Sequence, residues 1–455
     1  MKKNEILSVK IEDYTEEGFG VARASGYVLF VPGAVAGEKA LVRVVKAGKN
    51  FGYAKLLELQ ETAPERIAPD CDLAGRCGGC AFRHVTYKEE LRLKEERVRQ
   101  SICRIGGLDV PVLPILAAAE TERYRNKAQF PIRALRGVPC GGFYAPGSHG
   151  VVSGDDCRIQ PAIFHEILRW VLDYMQKKDL PAYDEASGKG LIRHLYLREA
   201  QNGAQIMVCP VVNGNDFPLK ESFAAEIAAA FPPIAAVAVN YNPKNTNVVL
   251  GERTETVFGT GYIEDVLCGK QFRIAPESFY QVNRAQTEIL YRKAAEFADL
   301  REGDHLLDLY CGIGSVGLTM ARAETRLTGV EIVPAAVENA KTNARLNGFE
   351  NARFICADAG AAAARFAADK ERFNVIAVDP PRKGCDAATL GAICSIAPER
   401  LVYISCNPAT LARDLKILAE RGWRVNAVQP IDLFPRTRHV ETVTLITRAE
   451  AEATD

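Results

Sequence analysis

The sequence lacks the features that would place the chain in a membrane or outside the cell. Its 455 residues hold 57 Lys and Arg against 57 Asp and Glu, so net charge does not indicate a polyanionic partner and any such surface must be local. The N-terminus lacks the apolar core of a signal peptide. The most apolar run, residues 223–239, contains Glu226 and Pro232-Pro233, which excludes a membrane span. No internal repeat is evident. We expect a globular, monomeric, cytoplasmic protein.

Cysteine, by contrast, is plentiful, with thirteen in the chain. In a long chain without a secretion signal, clustered cysteines more often bind metal or react than form disulfides. Three of them form a C-x5-C-x2-C run: Cys71, Cys77 and Cys80. Cys157, in a turn-rich segment, is the best candidate for a fourth ligand, with Cys103 and Cys140 as alternatives. Four thiolates fit zinc or a [4Fe-4S] cluster, and three close cysteines plus a distant one favour the cluster.

The length predicts about three domains, over residues 1–62, 63–275 and 276–455. In the first, β-prone runs alternate with glycine-rich turns, as is typical of an OB-like barrel. Its predicted strands are Ile6–Ile11, Gly20–Ala24, Tyr27–Val31, Lys39–Lys46 and Phe51–Leu59. Such barrels often bind single-stranded nucleic acid through exposed aromatic and basic side chains. A purely structural barrel is the alternative.

The second range has the pattern of an antiparallel α+β region. Residues 87–105 predict a helix whose acidic and basic side chains alternate, so we expect a solvent-exposed helix with mutually neutralising charges. Two basic stretches that contain an aromatic residue, Arg123–Lys127 and Arg193–Arg198, lie in or next to predicted strands. They are candidates for contacts with RNA phosphates and bases.

The third range predicts a long helix from about Phe279 to Asp299, followed by alternating strands and helices typical of a Rossmann-like sheet. Its predicted strands are His305–Tyr310, Leu327–Val330, Ala352–Cys356, Phe373–Val378, Leu401–Ser405 and Thr442–Thr447. We therefore expect an α/β fold in which ligands bind beyond the carboxyl ends of the parallel strands.

A glycine-rich turn, Cys311–Gly317, follows the first of these strands and allows a ligand to approach the backbone. Glu331 ends the second strand, where a carboxylate can accept both hydroxyls of a ribose. Asp358 follows the third strand, within reach of an adenine amino group. Because the turn lacks the third glycine of a dinucleotide fold, the pattern predicts S-adenosyl-L-methionine (SAM) rather than a nicotinamide dinucleotide.

Cys406 follows the fifth strand on a turn, since Pro408 prevents the strand from continuing directly into a helix. A thiolate there could add to carbon 6 of uracil and activate carbon 5, which is otherwise a poor nucleophile. A base must then remove the carbon-5 proton. Glu441, at the start of the last strand, is the preferred candidate, and His439 is the competing one. Amino-methyltransferases are a weaker alternative, because Arg382 replaces the aromatic residue that follows their Asp-Pro-Pro motif.

These motifs together resemble the TrmA/RumA family of RNA uracil-C5 methyltransferases. The resemblance covers nearly the whole chain and rests on four segments: the cysteines 71, 77, 80 and 157, the run Asp379–Gly384, the run Ser405–Pro408 and the run His439–Thr442. It implies that the barrel is a TRAM domain, that the cysteines hold a [4Fe-4S] cluster, and that Cys406 is the nucleophile and Glu441 the base. The implied SAM site consists of Gln281, Tyr310, Gly312, Ser315, Glu331, Asp358 and Asp379, although relatives carry Asn at the positions of Ser315 and Asp358.

The expected function is SAM-dependent methylation of a uridine carbon 5 in 23S ribosomal RNA, because the family's ribosomal-RNA members carry both the barrel and the cysteine cluster. The same reaction on tRNA is one alternative. A non-catalytic RNA-binding protein with a vestigial methyltransferase domain is the other, and the presence of Cys406, Glu441 and Glu331 argues against it.

Overall fold

Short strands with alternating buried side chains close the first sixty residues into a barrel. The computed structural model describes residues 1–154 and 156–449. The barrel strands are β1 (Ile6–Tyr14), β2 (Gly20–Ala24), β3 (Tyr27–Val31), β4 (Lys39–Ala47) and β5 (Phe51–Glu61). They are ordered β1-β2-β3-β5-β4, and aliphatic side chains fill the interior. The predicted five-stranded barrel is confirmed.

Helix α1 (Tyr87–Gln100) follows the barrel and continues as a π-helical turn, Ser101–Ile105. Thr86 caps its start by accepting a hydrogen bond from the Glu89 amide. The prediction that this helix is solvent-exposed is wrong, because Lys94 and Val98 are 2% and 0% exposed. The buried Lys94 forms an ion pair with Glu90, and this pairing permits burial of the face of the helix that carries them.

A six-stranded sheet and two helices form the middle of the chain. Its elements are β6 (Lys127–Leu135), β7 (Val138–Gly141), α2 (Ala162–Lys177), β10 (Ile192–Ala200), β11 (Gln205–Val212), α3 (Lys220–Ala230), β12 (Ile234–Tyr241) and β13 (Arg253–Gly259), with a separate hairpin of β8 (Phe143–Tyr144) and β9 (Val151–Val152). The sheet order is β13-β12-β11-β10-β6-β7, and only β11 and β12 pair in parallel. The predicted mainly antiparallel α+β region is therefore present.

A hairpin of β14 (Ile263–Leu267) and β15 (Lys270–Ile274) leads to α4 (Arg284–Ala298). The predicted start of this helix near Phe279 is wrong, because the Asn283 side chain caps the helix by accepting a hydrogen bond from the Gln286 amide. The residues before it are non-helical and carry Gln281 toward the last sheet.

Seven strands form that sheet, with helices on both faces. The elements are β16 (His305–Leu309), α5 (Ser315–Met320), β17 (Arg326–Glu331), α6 (Pro334–Leu346), β18 (Ala352–Cys356), α7 (Ala359–Ala368), β19 (Val375–Val378), α8 (Ala387–Ile396), β20 (Arg400–Ser405), α9 (Pro408–Ala419), β21 (Trp423–Ile431) and β22 (Glu441–Arg448). Their order is β18-β17-β16-β19-β20-β22-β21, with β22 antiparallel to its neighbours. Sequence patterns identified every strand except β21. No helix of the described residues is long and apolar enough to cross a membrane.

Candidate active site

Cys406 lies half-buried in the turn between β20 and α9. Strand β20 is buried along its whole length, so its carboxyl end is the first point at which a ligand can meet it. The next residue, Asn407, caps α9 by accepting a hydrogen bond from the Ala409 amide at 3.1 Å, while its own amide donates to Ser405 Oγ at 3.1 Å. These bonds fix the backbone on both sides of the thiol.

The segment Asp379–Gly384 after β19 is tied to the same helix. The Arg382 carbonyl accepts hydrogen bonds from Asn407 Nδ2 and Thr410 Oγ1, each at 3.2 Å. Gly384 has φ +76°, and a Cβ there would lie 2.6 Å from Asp414 Oδ2, so this close approach requires glycine. The segment and Cys406 are therefore held in one rigid unit.

Four ionisable groups act on one another at this edge of the sheet: Cys406, Glu441, Asp379 and Arg382. Burial, followed by the charges of Glu441 and Asp379, raises the pKa of the Cys406 thiol to about 11, and Arg382 opposes that shift. Glu441 is 3% exposed, and burial together with Asp379 raises its pKa well above the usual range. Burial raises the pKa of Asp379 to about 7. A thiol, two carboxyl groups and a guanidinium thus meet where the sequence predicted nucleophile and base.

His439, the competing candidate for the base, and Cys385, a second thiol directly after the segment Asp379–Gly384, lie in less suitable surroundings. Burial and neighbouring cations, with Arg382 first among them, lower the pKa of His439 to about 4. A group with so low a pKa is a weaker proton acceptor than a carboxylate whose pKa is raised. Burial raises the pKa of the Cys385 thiol to about 12, above that of Cys406, so Cys385 is less readily ionised to the reactive thiolate.

The glycine-rich turn after β16 has the backbone of a ligand-binding loop. Tyr310 has φ +67° and Gly314 φ +83°, both in the left-handed region. Glu331 accepts hydrogen bonds from the Gly312 amide at 3.1 Å and from the Val333 amide at 2.9 Å. The carboxylate at the end of β17 is therefore held against the turn, as the predicted ribose contact requires.

Of the other predicted SAM residues, Ser315 lies in this turn, Asp358 follows the neighbouring strand β18, and Gln281 precedes α4. Ser315 begins α5, and its Oγ lies 3.1 Å from the Tyr291 hydroxyl. Gln281 is 7% exposed, and its backbone carbonyl accepts a hydrogen bond from Asn126 Nδ2 at 3.0 Å. Asp358 caps α7 through the Ala361 amide at 3.0 Å, which occupies one of its two oxygens.

Asp308 was missed by sequence reasoning, although a carboxyl group in a wholly buried strand is itself a signal. Its Oδ2 accepts a hydrogen bond from the Gly317 amide at 2.8 Å, and its Oδ1 has no partner among the described residues. Burial, with the charges of Asp379 and Glu331, raises its pKa to about 8. The Asp308 carboxyl group therefore contacts the glycine-rich turn and also interacts electrostatically with the carboxyl groups of the cleft.

The structure also brings the cysteine run close to Cys157. The charges of Cys71 and Cys77 act on Cys80, and those of Cys80 and Cys77 act on Cys157. Of the alternatives, Cys103 is exposed and Cys140 has Arg133 as its charged neighbour. No group of three or more His, Cys, Asp or Glu side chains in the described ranges has the geometry to hold a single metal ion. A [4Fe-4S] cluster differs in this respect, because each thiolate binds a different iron.

Comparison with known proteins agrees with the fold. Residues 2–57 match the TRAM domain, and residues 245–449 match the tRNA (Uracil-5-)-methyltransferase family. An uncharacterised RNA methyltransferase of Halalkalibacterium halodurans is 41% identical over 98% of both chains. Another, from Bacillus cereus, is 42% identical over 99% of this chain and 98% of its own.

A solved structure is similar over nearly the whole chain. It is the Pyrococcus abyssi tRNA (uracil-54, C5)-methyltransferase in complex with S-adenosyl-L-homocysteine, with a TM-score of 0.77, 25% identity, and coverage of 97% of this chain and 100% of that chain. The fold and cleft thus define a SAM-dependent RNA methyltransferase. The chain belongs to the RNA uracil-5-methyltransferase family and carries a TRAM domain. The predicted family and fold class are confirmed.

Proposed function

We propose that the protein methylates carbon 5 of a uridine in 23S ribosomal RNA through a covalent bond between Cys406 and carbon 6. The observation that carries this proposal is the meeting of Cys406, Glu441, Asp379 and Arg382 at the carboxyl edge of the sheet. A cysteine and a buried carboxyl group in one cleft supply the nucleophile and the base that methylation at a carbon atom needs.

In the first step the Cys406 sulfur bonds to carbon 6, and the electron pair of the ring double bond moves to carbon 5 and the carbonyl oxygen. Because the thiol has a raised pKa, Arg382 has an important part: its positive charge lowers that pKa and favours the thiolate. Bound SAM would supply the electrophilic methyl group for carbon 5 and would leave as S-adenosyl-L-homocysteine.

Glu441 completes the reaction as the base. In its ionised form the carboxylate takes the carbon-5 proton, the double bond re-forms, and the Cys406 thiolate leaves carbon 6. A carboxyl group with a raised pKa accepts a proton more readily than an ordinary one, and Arg382 also keeps its ionised form accessible.

The SAM site is proposed at the glycine-rich turn and the adjoining strand ends. Its members are Gln281, Tyr310, Gly312, Ser315, Glu331, Asp358 and Asp379. Glu331 is the ribose contact, and its hydrogen bond to the Gly312 amide supports this role because it holds the carboxylate beside the turn. One oxygen of Asp358 remains for a ligand, since the other caps α7.

The choice between ribosomal RNA and tRNA rests on two opposing indications. Ribosomal-RNA members of the family carry both the barrel and the cysteine run, as this chain does, whereas the similar Pyrococcus abyssi enzyme acts on tRNA. The test is transfer of a labelled methyl group from SAM to purified ribosomal RNA and to purified tRNA. We expect label at carbon 5 of uridine in 23S RNA. Label in tRNA alone would refute the ribosomal assignment, and label in neither would refute the function.

We further propose that Cys71, Cys77, Cys80 and Cys157 hold a [4Fe-4S] cluster. The mutual influence of their thiols supports this, as does an all-thiolate donor set. Anaerobically purified protein should contain about four irons per chain, consistent with that cluster type. Cys157→Ser should lose iron, whereas Cys140→Ser should keep it. Stoichiometric zinc without iron would contradict the assignment.

The remaining proposals concern the whole chain. The three domains are assigned to residues 1–62, 63–275 and 276–455. A monomer is also proposed. A cytoplasmic location is proposed because the RNA substrate and the thirteen free cysteines suit a reducing compartment.

A further inference from the structure

The two basic stretches of the sequence form a single site in the fold. Strands β6 and β10 pair antiparallel, and Lys127 lies directly opposite Arg198. Side chains of such a pair project from the same face of the sheet. Arg125 lies two residues before Lys127, and the charges of both arginines act on the lysine. Three cations therefore converge on one face of two neighbouring chain segments.

No ion pair among the described residues compensates these cations, although the Arg198 guanidinium lies 5.8 Å from the centroid of the Tyr196 ring. Arg198 is 0% exposed, and only one of its nitrogens has a partner: Nη1 donates to the Ser278 carbonyl at 3.1 Å. Its Nε and Nη2, and Arg125 Nε, are buried without a hydrogen-bond partner among the described residues. The charged groups acting on Lys127 are both cations, and together with burial they lower its pKa to about 7. Unpaired buried charge is costly, so this arrangement is suited to an incoming anion.

The site adjoins the proposed catalytic cleft. Asn126 lies between Arg125 and Lys127 in the sequence. Its backbone amide donates to the Val282 carbonyl at 2.7 Å, and its side-chain Nδ2 donates to the backbone carbonyl of Gln281 at 3.0 Å. On the other side, the Tyr124 hydroxyl donates to the Pro435 carbonyl at 2.8 Å, in the loop that leads to Glu441. An anion bound here would lie between the segment carrying Gln281 and the segment carrying the proposed base.

We propose that Arg125 and Lys127 bind a phosphate of the RNA backbone next to the target uridine, and that the charge of the buried Arg198 strengthens this site. The inference rests on the proposed function, because a uridine that leaves its stack to reach Cys406 brings its flanking phosphates to the mouth of the cleft. Guanidinium groups can donate two parallel hydrogen bonds to phosphate oxygens. The carboxylate of SAM is the other anion available, but three cations exceed what one carboxylate needs.

The test measures the RNA dissociation constant of Lys127→Met at several salt concentrations. A phosphate contact to single-stranded RNA contributes about 0.7 to the slope of log affinity against log salt, so the slope should fall by about that amount. Lys127→Arg should restore it, since the arginine keeps the charge. Lys177→Met, at an exposed lysine of α2, is the matched control and should leave the slope unchanged. Arg125→Met should reproduce the loss independently.

SAM affinity and turnover separate the possible outcomes. Lys127→Met should raise KM for RNA several-fold while kcat at saturating RNA and the SAM dissociation constant stay within about twofold of wild type. An unchanged salt slope, or a weakened affinity for SAM instead of RNA, would overturn the proposal. If wild-type protein methylates no RNA, the proposed function fails, and that result is distinct from either outcome for the variant.

Discussion

At the scale of single residues, the roles proposed for Cys406 and Glu441 belong to different stages of the reaction, so their loss should have different consequences. Cys406→Ala should form no covalent RNA adduct, and methyl transfer should fall below about one thousandth of wild type. Glu441→Gln should still add to carbon 6 and accept the methyl group, but it should stop before elimination because the carbon-5 proton remains. Denaturing electrophoresis with labelled SAM should therefore show a labelled protein–RNA band for Glu441→Gln alone.

Two controls sharpen this comparison. Cys385→Ala should retain activity, because that thiol is enclosed beside Tyr403. RNA containing 5-fluorouridine should trap the wild-type protein in the same covalent band, since fluorine cannot leave as a cation. Normal turnover by Glu441→Gln would show that another residue is the base, and His439 would be the first candidate. An adduct formed by Cys406→Ala would show that another residue is the nucleophile.

Asp308 leads to a prediction about stability and pH. Its pKa is raised in the folded protein, so the folded state binds the proton more tightly than the unfolded chain does. The resulting stabilisation is fully present below about pH 4, the usual aspartate value, and is lost as pH rises through about 8. Asp308→Asn cannot titrate but retains an oxygen for the Gly317 amide. In urea unfolding from pH 5 to 8.5, the variant's free energy of unfolding should depend less steeply on pH than wild type's. Equal slopes would contradict this assignment.

At the scale of elements, helix α1 holds the loop between β21 and β22 that leads to Glu441. Lys94 Nζ donates to Glu90 Oε1 and Asp432 Oδ1, each at 2.7 Å, and to the Phe434 carbonyl at 3.1 Å. The Tyr87 hydroxyl donates to Asp432 Oδ2 at 2.7 Å. The proposed base thus begins the strand that follows this loop, and helix α1 positions the loop through buried charges.

The same loop also contacts the segment that follows the cysteine run. The amides of Ala81 and Phe82 donate to the Arg436 carbonyl at 2.9 and 3.1 Å. Ala81 directly follows Cys80. A change in the backbone of the cysteine run would therefore move the loop that leads to the proposed base, because two backbone hydrogen bonds connect them. By holding the cysteine run in place, the proposed cluster would also help to position this loop, and that role requires no redox chemistry.

Lys94→Met tests the role of α1. Removing one partner of a buried ion pair leaves an uncompensated charge and costs about 3–5 kcal/mol. The loop should also lose its fixed position, so kcat should fall more than SAM affinity does. Arg92→Met is the control on the same helix, because its ion pair with Glu89 is 58% exposed on the arginine side and should contribute less than about 1 kcal/mol. Urea unfolding and single-turnover methylation measure the two effects. Equal losses of stability in the two variants would contradict the interpretation.

At the scale of the whole molecule, the barrel and the cleft are joined by apolar and charged contacts. Phe82, next to the cysteine run, packs with Val35 of the barrel in a small apolar cluster. Arg97 of α1 lies 3.3 Å from Glu16 of the barrel and donates to the Arg438 carbonyl at 2.9 Å. A barrel attached at this place can present RNA toward the cleft while folding around its own core.

The outer surface of the barrel carries an aromatic cluster suited to base stacking. Phe51 is 47% exposed and lies 5.5 Å from Phe30 and 6.1 Å from Tyr53 between ring centroids. Phe51→Ala should weaken RNA binding by about 1–3 kcal/mol without changing SAM affinity, because a stacked base contributes about that much. Ile6→Ala, at an exposed aliphatic residue of the same barrel, is the control. Fluorescence titration with RNA and with SAM measures both. Equal RNA affinities for Phe51→Ala and wild type would exclude stacking at this patch.

Local patterns in the sequence were sufficient to predict the barrel strands, all but one strand of the seven-stranded sheet, and the candidate residues at their ends. Alternating side chains indicated the barrel, and the apolar run before Cys406 together with Pro408 indicated a strand end followed by a turn. These features depend on a few consecutive residues and on backbone preferences, which the order of amino acids determines directly. The position of Glu441 at the start of a strand was predictable in the same way.

Other properties depend on contacts between segments far apart in the chain, and only the tertiary structure decided them. Lys94 lies 338 residues from Asp432, so its sequence neighbours indicate an exposed helix although the folded protein buries the pair. Lys127 and Arg198 form one cationic site only because β6 pairs with β10. The raised pKa of Glu441 likewise arises from burial beside Asp379. Burial and charge act through space, and folding determines which residues share that space.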